Sequence, residues 1–211
     1  MTLLRSGERI RAIAFSPDGK TLATGGDGGQ IKLWNMATRQ QRAALSNHRQ
    51  AIFALGFGPD CKTLAAGGQD GKVRLWDIET LTEYSVLTKH QKAVLFTLFS
   101  PDGNTLVTGG MDHTVQLWDA HTSTLRATLN CNAGYAFSAA FTSDGKTLAT
   151  GGGSRTGSHL PGEVKIWDVT TGDCHATLPG QTGPIAFSPD GRDLATVSKY
   201  VGVKTWHAAL D

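Results

Sequence analysis

The chain has 211 residues, 39% of them hydrophobic, with 20 Lys and Arg against 18 Asp and Glu. A net charge of only +2 argues against a nucleic-acid or membrane-surface protein, which usually concentrates basic residues on one face. Glycine stands out at 26 residues while proline is ordinary at 7, so the glycines mark many tight turns rather than a collagen or a linker.

The predicted elements come in copies. An aromatic-plus-turn block, Phe15-Ser16-Pro17-Asp18-Gly19, leads into the small-residue strand Leu22-Ala23-Thr24-Gly25-Gly26 and then to Leu33-Trp34. The second copy reads as four short strands. Residues 51–57 form an apolar run that ends at the turn Pro59-Asp60, and residues 63–68 form a second, small-residue strand. A turn over 69–72 leads into Val73-Arg74-Leu75-Trp76, which alternates cleanly, and residues 83–87 make a fourth strand. Phe99, Phe141 and Phe187 open the same block in the later copies, and Trp118, Trp167 and Trp206 close it. The tryptophans are spaced 42, 42, 49 and 39 residues apart, and Phe-to-Trp spacing is 19 in every copy but the fourth, where it is 26. That difference places a seven-residue insertion within 151–162. No long window carries a helical period, so the chain is expected to be all-β. It forms one domain over 1–211, with copies at about 5–46, 47–88, 89–130, 131–178 and 179–211.

Leu22–Gly26 leading to Leu33-Trp34-Asn35, with later copies ending Trp76-Asp77, Trp118-Asp119 and Trp167-Asp168, resembles the WD40 repeat family over essentially the whole chain. The resemblance implies a β-propeller with one four-stranded sheet per blade around a central channel. No blade buries its apolar surface alone in such a stack. The resemblance also implies a buried hydrogen-bonded set of His, Ser or Thr, Asp and Trp in each blade. The third copy supplies His90, Thr108, Asp112 and Trp118. The second supplies His48, Asp70 and Trp76, with Ala66 in place of the hydroxyl. The first keeps Thr24 and Trp34, the fourth Thr150 and Trp167 with Asn132 at the histidine position, and the fifth Thr196 and Trp206. The last copy lacks room for an outer strand after Trp206, while Thr2-Leu3-Leu4 aligns with the tail of one. The expectation is therefore five recognisable blades, the last without its outer strand. They form an open arc, or a ring weakly closed by Thr2–Leu4, with self-association through open blade ends.

Candidate chemistry is sparse. The seven histidines form no His-Glu-x-x-His pattern and no Cys-x-x-Cys exists, so no metal site, catalytic set or cofactor is expected. Gly151–Gly157 lacks the Gly-Lys-Ser/Thr ending of a phosphate cradle. Cys61, Cys131 and Cys174 are too few and too dispersed for a disulfide framework, and together with the absence of a signal-like start this favours a cytoplasmic location.

Binding is the remaining expectation. The resemblance implies that partners dock near the channel mouth, on the residues flanking the first apolar position of each innermost strand and on the residue before the turn acid. Carried over by position, these are Arg9, Arg11 and Asp27, then Phe53, then Leu95 and Met111, then Tyr135 and Phe137. Ala51, Gln69, Ala93, Leu160, Gln181, Gly183 and Lys199 complete the carried-over set. The expected function is a non-catalytic scaffold for protein or peptide partners, without nucleic acid or membrane. Small-molecule or glycan sensing at the channel, or an inert segment of a larger WD40 protein, are the alternatives.

Overall fold

The computed structural model describes residues 7–46, 48–131, 134–153, 162–179, 183–198 and 202–207. Among these every regular element is a strand, and the strands fall into five sheets in chain order. Blade 1 contains β1 (Ile10–Phe15), β2 (Thr21–Gly26), β3 (Ile31–Asn35) and β4 (Gln40–Leu45). Blade 2 contains β5 (Ile52–Phe57), β6 (Thr63–Gly68), β7 (Val73–Asp77) and β8 (Thr82–Leu87). Blade 3 contains β9 (Val94–Phe99), β10 (Thr105–Gly110), β11 (Thr114–Asp119) and β12 (Leu125–Asn130). Blade 4 contains β13 (Tyr135–Phe141), β14 (Thr147–Gly153), β15 (Glu163–Asp168) and β16 (Cys174–Pro179). Blade 5 has β17 (Ile185–Phe187), β18 (Asp193–Ser198) and β19 (Gly202–His207). Each sheet is an antiparallel meander.

Turn chemistry explains why the motifs recur. The Ser16 hydroxyl donates to the Asp18 carboxylate and accepts the backbone N–H of Thr21, while Gly19 sits at φ 69°. Ser100 and Asp102, Thr142 and Asp144, and Ser188 and Asp190 repeat the hydroxyl-to-carboxylate bond. In the second copy Cys61 occupies the glycine slot at φ 59°, a left-handed conformation that costs a side-chain-bearing residue about 1–2 kcal/mol. In the second, third and fourth copies the acid after the Trp caps the next turn, as Asn35 does in the first. Asp77 accepts the N–H groups of Glu79 and Thr80, Asp119 those of His121 and Thr122, and Asp168 those of Thr170 and Thr171.

The core lies between blades, not within them. Ile31 and Leu33 of blade 1 cluster with Ile52, Leu64 and Trp76 of blade 2. Val73 and Leu75 of blade 2 meet Val94, Leu106 and Trp118 of blade 3. Val115 and Leu117 of blade 3 meet Leu148 and Trp167 of blade 4, and Val164 of blade 4 meets Ile185 and Leu194 of blade 5. Every junction thus joins the trailing face of one blade to the leading face of the next. The glycines that end the second strands of blades 1 to 4 permit this approach, as a Cβ on Gly67 would stand 2.6 Å from the Val94 side chain of the following blade.

The array is an open all-β arc. On the leading face of blade 1, Ile13 and Phe15 are 65% and 56% exposed. Their equivalents Leu55 and Phe99 are buried in interior junctions. On the trailing face of blade 5, Val203 is 68% exposed, whereas Ile31, Val73, Val115 and Val164 at the same position are at most 1% exposed. Curvature still brings the two ends towards one axis, since Pro17 and Phe187 line a common recess. The expected closing segment, Thr2–Leu4, and most of the insertion, 154–161, lie outside the described residues.

Candidate functional site

The channel has two mouths of different chemistry. At one, the innermost strands of four blades, the residue before β1 and the turn after β10 place Arg9, Arg11, Phe53, Leu95, Met111 and Phe137 around a single recess of about 500 Å³. At the other, Pro17, Phe57, Pro59, Phe99, Pro101 and Phe187 line an apolar recess of about 480 Å³. The first brings together six of the fifteen positions carried over from the resemblance.

Tyr135 stands beside it. Its ring meets Phe137 edge-on at 5.9 Å and His113 edge-on at 5.5 Å. His113 was not among the expected site residues. It occupies a slot that Gly29 and Gly71 fill in the first two copies, and it keeps their left-handed backbone at φ 67°. A non-glycine in a glycine slot was the available signal.

The apolar floor is half-buried: Phe53, Leu95, Met111, Tyr135 and Phe137 all retain partial exposure. The rim is polar. Arg11 donates from its guanidinium to the Asp27 carboxylate and also lies 5.3 Å from the centre of the Phe53 ring. That hydrogen bond and the guanidinium charge hold Asp27 below the usual carboxylate range against its partial desolvation. Arg9 is exposed on the same rim, beside the Arg11–Asp27 pair. Ala51 and Ala93, from the wider expected set, are buried, and Gln69 is exposed outside the recess. Leu160, Gln181 and Lys199 lie outside the described residues.

The internal hydrogen-bond sets differ from blade to blade. In blade 3 the Trp118 indole N–H donates to the Thr108 hydroxyl at 3.0 Å, Thr108 is 2.8 Å from His90 Nε2, and His90 Nδ1 is 2.9 Å from Asp112. With the proton on Nδ1 every polar atom of this chain has a partner. Burial raises the Asp112 carboxyl, but bonds from His90, the Gln91 backbone and Thr114 overcome this and hold it at about 2.

Blade 2 departs from the expected set. Ala66 offers no hydroxyl, and the buried Trp76 indole N–H has no partner. His48 Nε2 turns to the Ala66 carbonyl at 3.2 Å, and its Nδ1 lies 3.6 Å from Asp70, too far for a hydrogen bond. Arg74 fills the gap, 3.1 Å from both His48 Nδ1 and Asp70, with its Nε 3.3 Å from Glu83. Burial and then the Arg74 charge push the His48 pKa below its usual value of 6.5.

In blade 4 the Trp167 indole donates to Thr150 at 2.8 Å, and Cys131 Sγ contacts Thr150 at 3.8 Å. The thiol stands by the hydroxyl; Asn132, expected at the histidine position, lies outside the described residues. Burial pushes Cys131 up to about 11, which leaves it protonated and inert as a nucleophile at neutral pH. Among the described residues no three His, Cys, Asp or Glu side chains gather to hold a metal ion.

Stacked antiparallel meanders, joined face to face around an axis with an indole-to-hydroxyl bond in four of the five, define a propeller-type repeat protein. The family model described as WD domain, G-beta repeat matches residues 2–35, 39–77 and 81–119. The chain belongs to the WD40 repeat family, whose repeats generally serve as protein-interaction scaffolds.

Proposed function

We propose that this chain is a non-catalytic scaffold that docks a peptide segment of a protein partner at the Arg9–Phe137 mouth. One observation carries the reading. Aromatic, Met and Arg side chains from four separate blades converge on one recess, and these residue types dominate binding energy at protein interfaces. The half-buried floor accepts an apolar side chain, and the Arg9 and Arg11 rim favours an acidic residue beside it. The three free thiols, Cys61, Cys131 and Cys174, support a reducing, cytoplasmic setting.

A peptide-display selection against the folded chain tests the reading. Selected peptides should combine an apolar anchor with an acidic residue, and they should lose about tenfold or more in affinity on the Phe53→Ser, Phe137→Ser double variant. Binding that survives in a variant of unchanged melting temperature overturns it.

A second reading, small-molecule sensing, is favoured by the apolar opposite mouth. Binders that respond to Phe57→Ser but not to Phe53→Ser would move the site there. The exposed Ile13, Phe15 and Val203 support self-association through blade ends as a further property of the scaffold, readable as a concentration-dependent mass.

A further inference from the structure

Two turns at the mouth end of the blades follow a rule that blade 3 breaks. Gly29 and Gly71 sit in the left-handed region, and each is pressed against the loop that opens the next blade. A Cβ would stand 2.4 Å from the His48 carbonyl oxygen at Gly29, and 2.8 Å from that of His90 at Gly71. Glycine is needed there twice over, for its backbone and for its missing side chain. In blade 3 the same slot holds His113, at φ 67°. The other left-handed residues with side chains, Arg39, Cys61, Leu81 and Ser123, lie in turns at the opposite end of the sheets. Among the described residues His113 alone accepts this conformation beside the mouth.

A side chain held in a glycine slot is explained by what it reaches. The residue is exposed, and its imidazole meets the Tyr135 ring of blade 4 with centroids 5.5 Å apart and planes at 80°. Tyr135 in turn meets Phe137 at 5.9 Å and 87°, and Phe137 lines the docking recess. Three rings thus run outward from the mouth, across the junction between blades 3 and 4. Because successive planes are nearly perpendicular, His113 and Tyr135 make a right-angled corner.

We propose that this corner is a second subsite of the docking mouth and takes a proline of the bound segment, with His113 as the residue that sets this specificity. The subsite presupposes docking at the Arg9–Phe137 mouth and adds a selectivity that the mouth alone lacks. Two perpendicular aromatic rings give a flat apolar side chain two walls to pack against. Proline brings such a side chain on a backbone that is already extended, so little further order is lost on binding. In that extended form a chain advances about 3.1 Å per residue with three residues per turn, so side chains three apart share a face at about 9 Å. The ring-to-ring steps of 5.9 and 5.5 Å cover that span. The expected motif is an apolar anchor over Phe53, Leu95 and Phe137, an acidic residue towards Arg9 and Arg11, any residue, and then proline.

Two labelled peptides test this on the full chain: Gly-Ser-Leu-Glu-Ser-Pro-Gly-Ser, and the same sequence with Ala in place of Pro. Anisotropy should show the Pro peptide binding about fivefold or more tighter than the Ala peptide. His113→Gly should erase that preference and leave the affinity for the Ala peptide unchanged, and Tyr135→Leu should erase it independently. The melting temperature of His113→Gly should not fall, because glycine fits the left-handed backbone and the residue replaced is exposed. A merely structural histidine would behave in the opposite way, with a lower melting temperature and both peptides weakened alike. A proline preference that survives His113→Gly overturns the proposal. So does the absence of any preference, or a His113→Gly chain that melts well below the native one. Phe53→Ser separates this failure from that of the mouth. Peptides that bind equally but depend on Phe53 sink the subsite alone, whereas peptides that ignore Phe53→Ser, or do not bind, sink both.

Discussion

Blade 3 and blade 2 share one sheet architecture and differ at the hydroxyl that joins histidine to indole. In blade 3 Thr108 accepts from Trp118 and bonds to His90, and a single oxygen closes a chain of four side chains. In blade 2 the same position is Ala66, and the consequences run across the sheet. Trp76 keeps its ring in the core but loses its acceptor, His48 turns to a backbone carbonyl, and Arg74 enters beside Asp70 and Glu83. The blade holds because the apolar body of Trp76 still fills the junction with blade 1. The comparison separates two duties that the motif combines: the indole packs between blades, and its N–H merely has to be satisfied.

Thr108→Ala breaks the comparison most strongly. It leaves the Trp118 N–H without an acceptor and His90 Nε2 without its hydroxyl, and blade 3 has Gln116 where blade 2 has Arg74. Two buried groups lose partners at about 1–3 kcal/mol each when unrelieved. The urea midpoint should therefore fall by the equivalent of about 2–3 kcal/mol, with an unchanged slope. A loss no larger than that of an exposed Thr→Ala change would show that the network contributes nothing.

Ala66→Thr runs the comparison in the other direction. The new hydroxyl stands where Thr24, Thr108, Thr150 and Thr196 each accept an indole N–H at 2.8–3.0 Å. Satisfying the Trp76 N–H should raise stability by about 1 kcal/mol, read from the same urea transition. A destabilised variant would mean that blade 2 has closed around the smaller alanine, with overpacking outweighing the bond.

These differences also mark what the sequence could and could not disclose. The repeat was legible because turn and junction residues do local jobs at fixed spacing. Pro17-Asp18-Gly19 shapes one turn, Asp77 caps another, and Gly67 admits Val94. The convergence of the carried-over positions was legible for a related reason: one offset along each innermost strand maps to one height in the channel, so Phe53, Leu95 and Phe137 meet although 84 residues separate the first and last. What stayed hidden depends on side-chain direction across strands. Nothing in the order of residues says that Arg74 reaches past β7 to His48, or that Cys131 meets Thr150. The contact of His113 with Tyr135 joins blade 3 to blade 4, and only the broken glycine pattern hints at it.

The mildest way to sharpen the comparison is pH. His48 has its pKa pushed below 6.5 by burial and by Arg74, so the folded chain resists a proton that the unfolded chain accepts. The stability this contributes is complete above about pH 6.5 and declines as the pH drops through that value towards the folded pKa. Asp112 behaves differently because its carboxyl is held at about 2 against an ordinary 3.8. Its contribution is complete above 3.8 and is lost only as the pH falls from there towards 2. The two blades therefore weaken in separate windows, blade 2 first. Urea midpoints at pH 7.5 and 5.5 should differ in the native chain, and the difference should shrink in His48→Gln, which cannot titrate. Asp112→Asn should leave that difference intact and instead flatten the further loss between pH 4 and 2. If His48→Gln keeps the whole difference between pH 7.5 and 5.5, the titrating group lies elsewhere, and the buried Arg74 contact does not govern the protonation of blade 2.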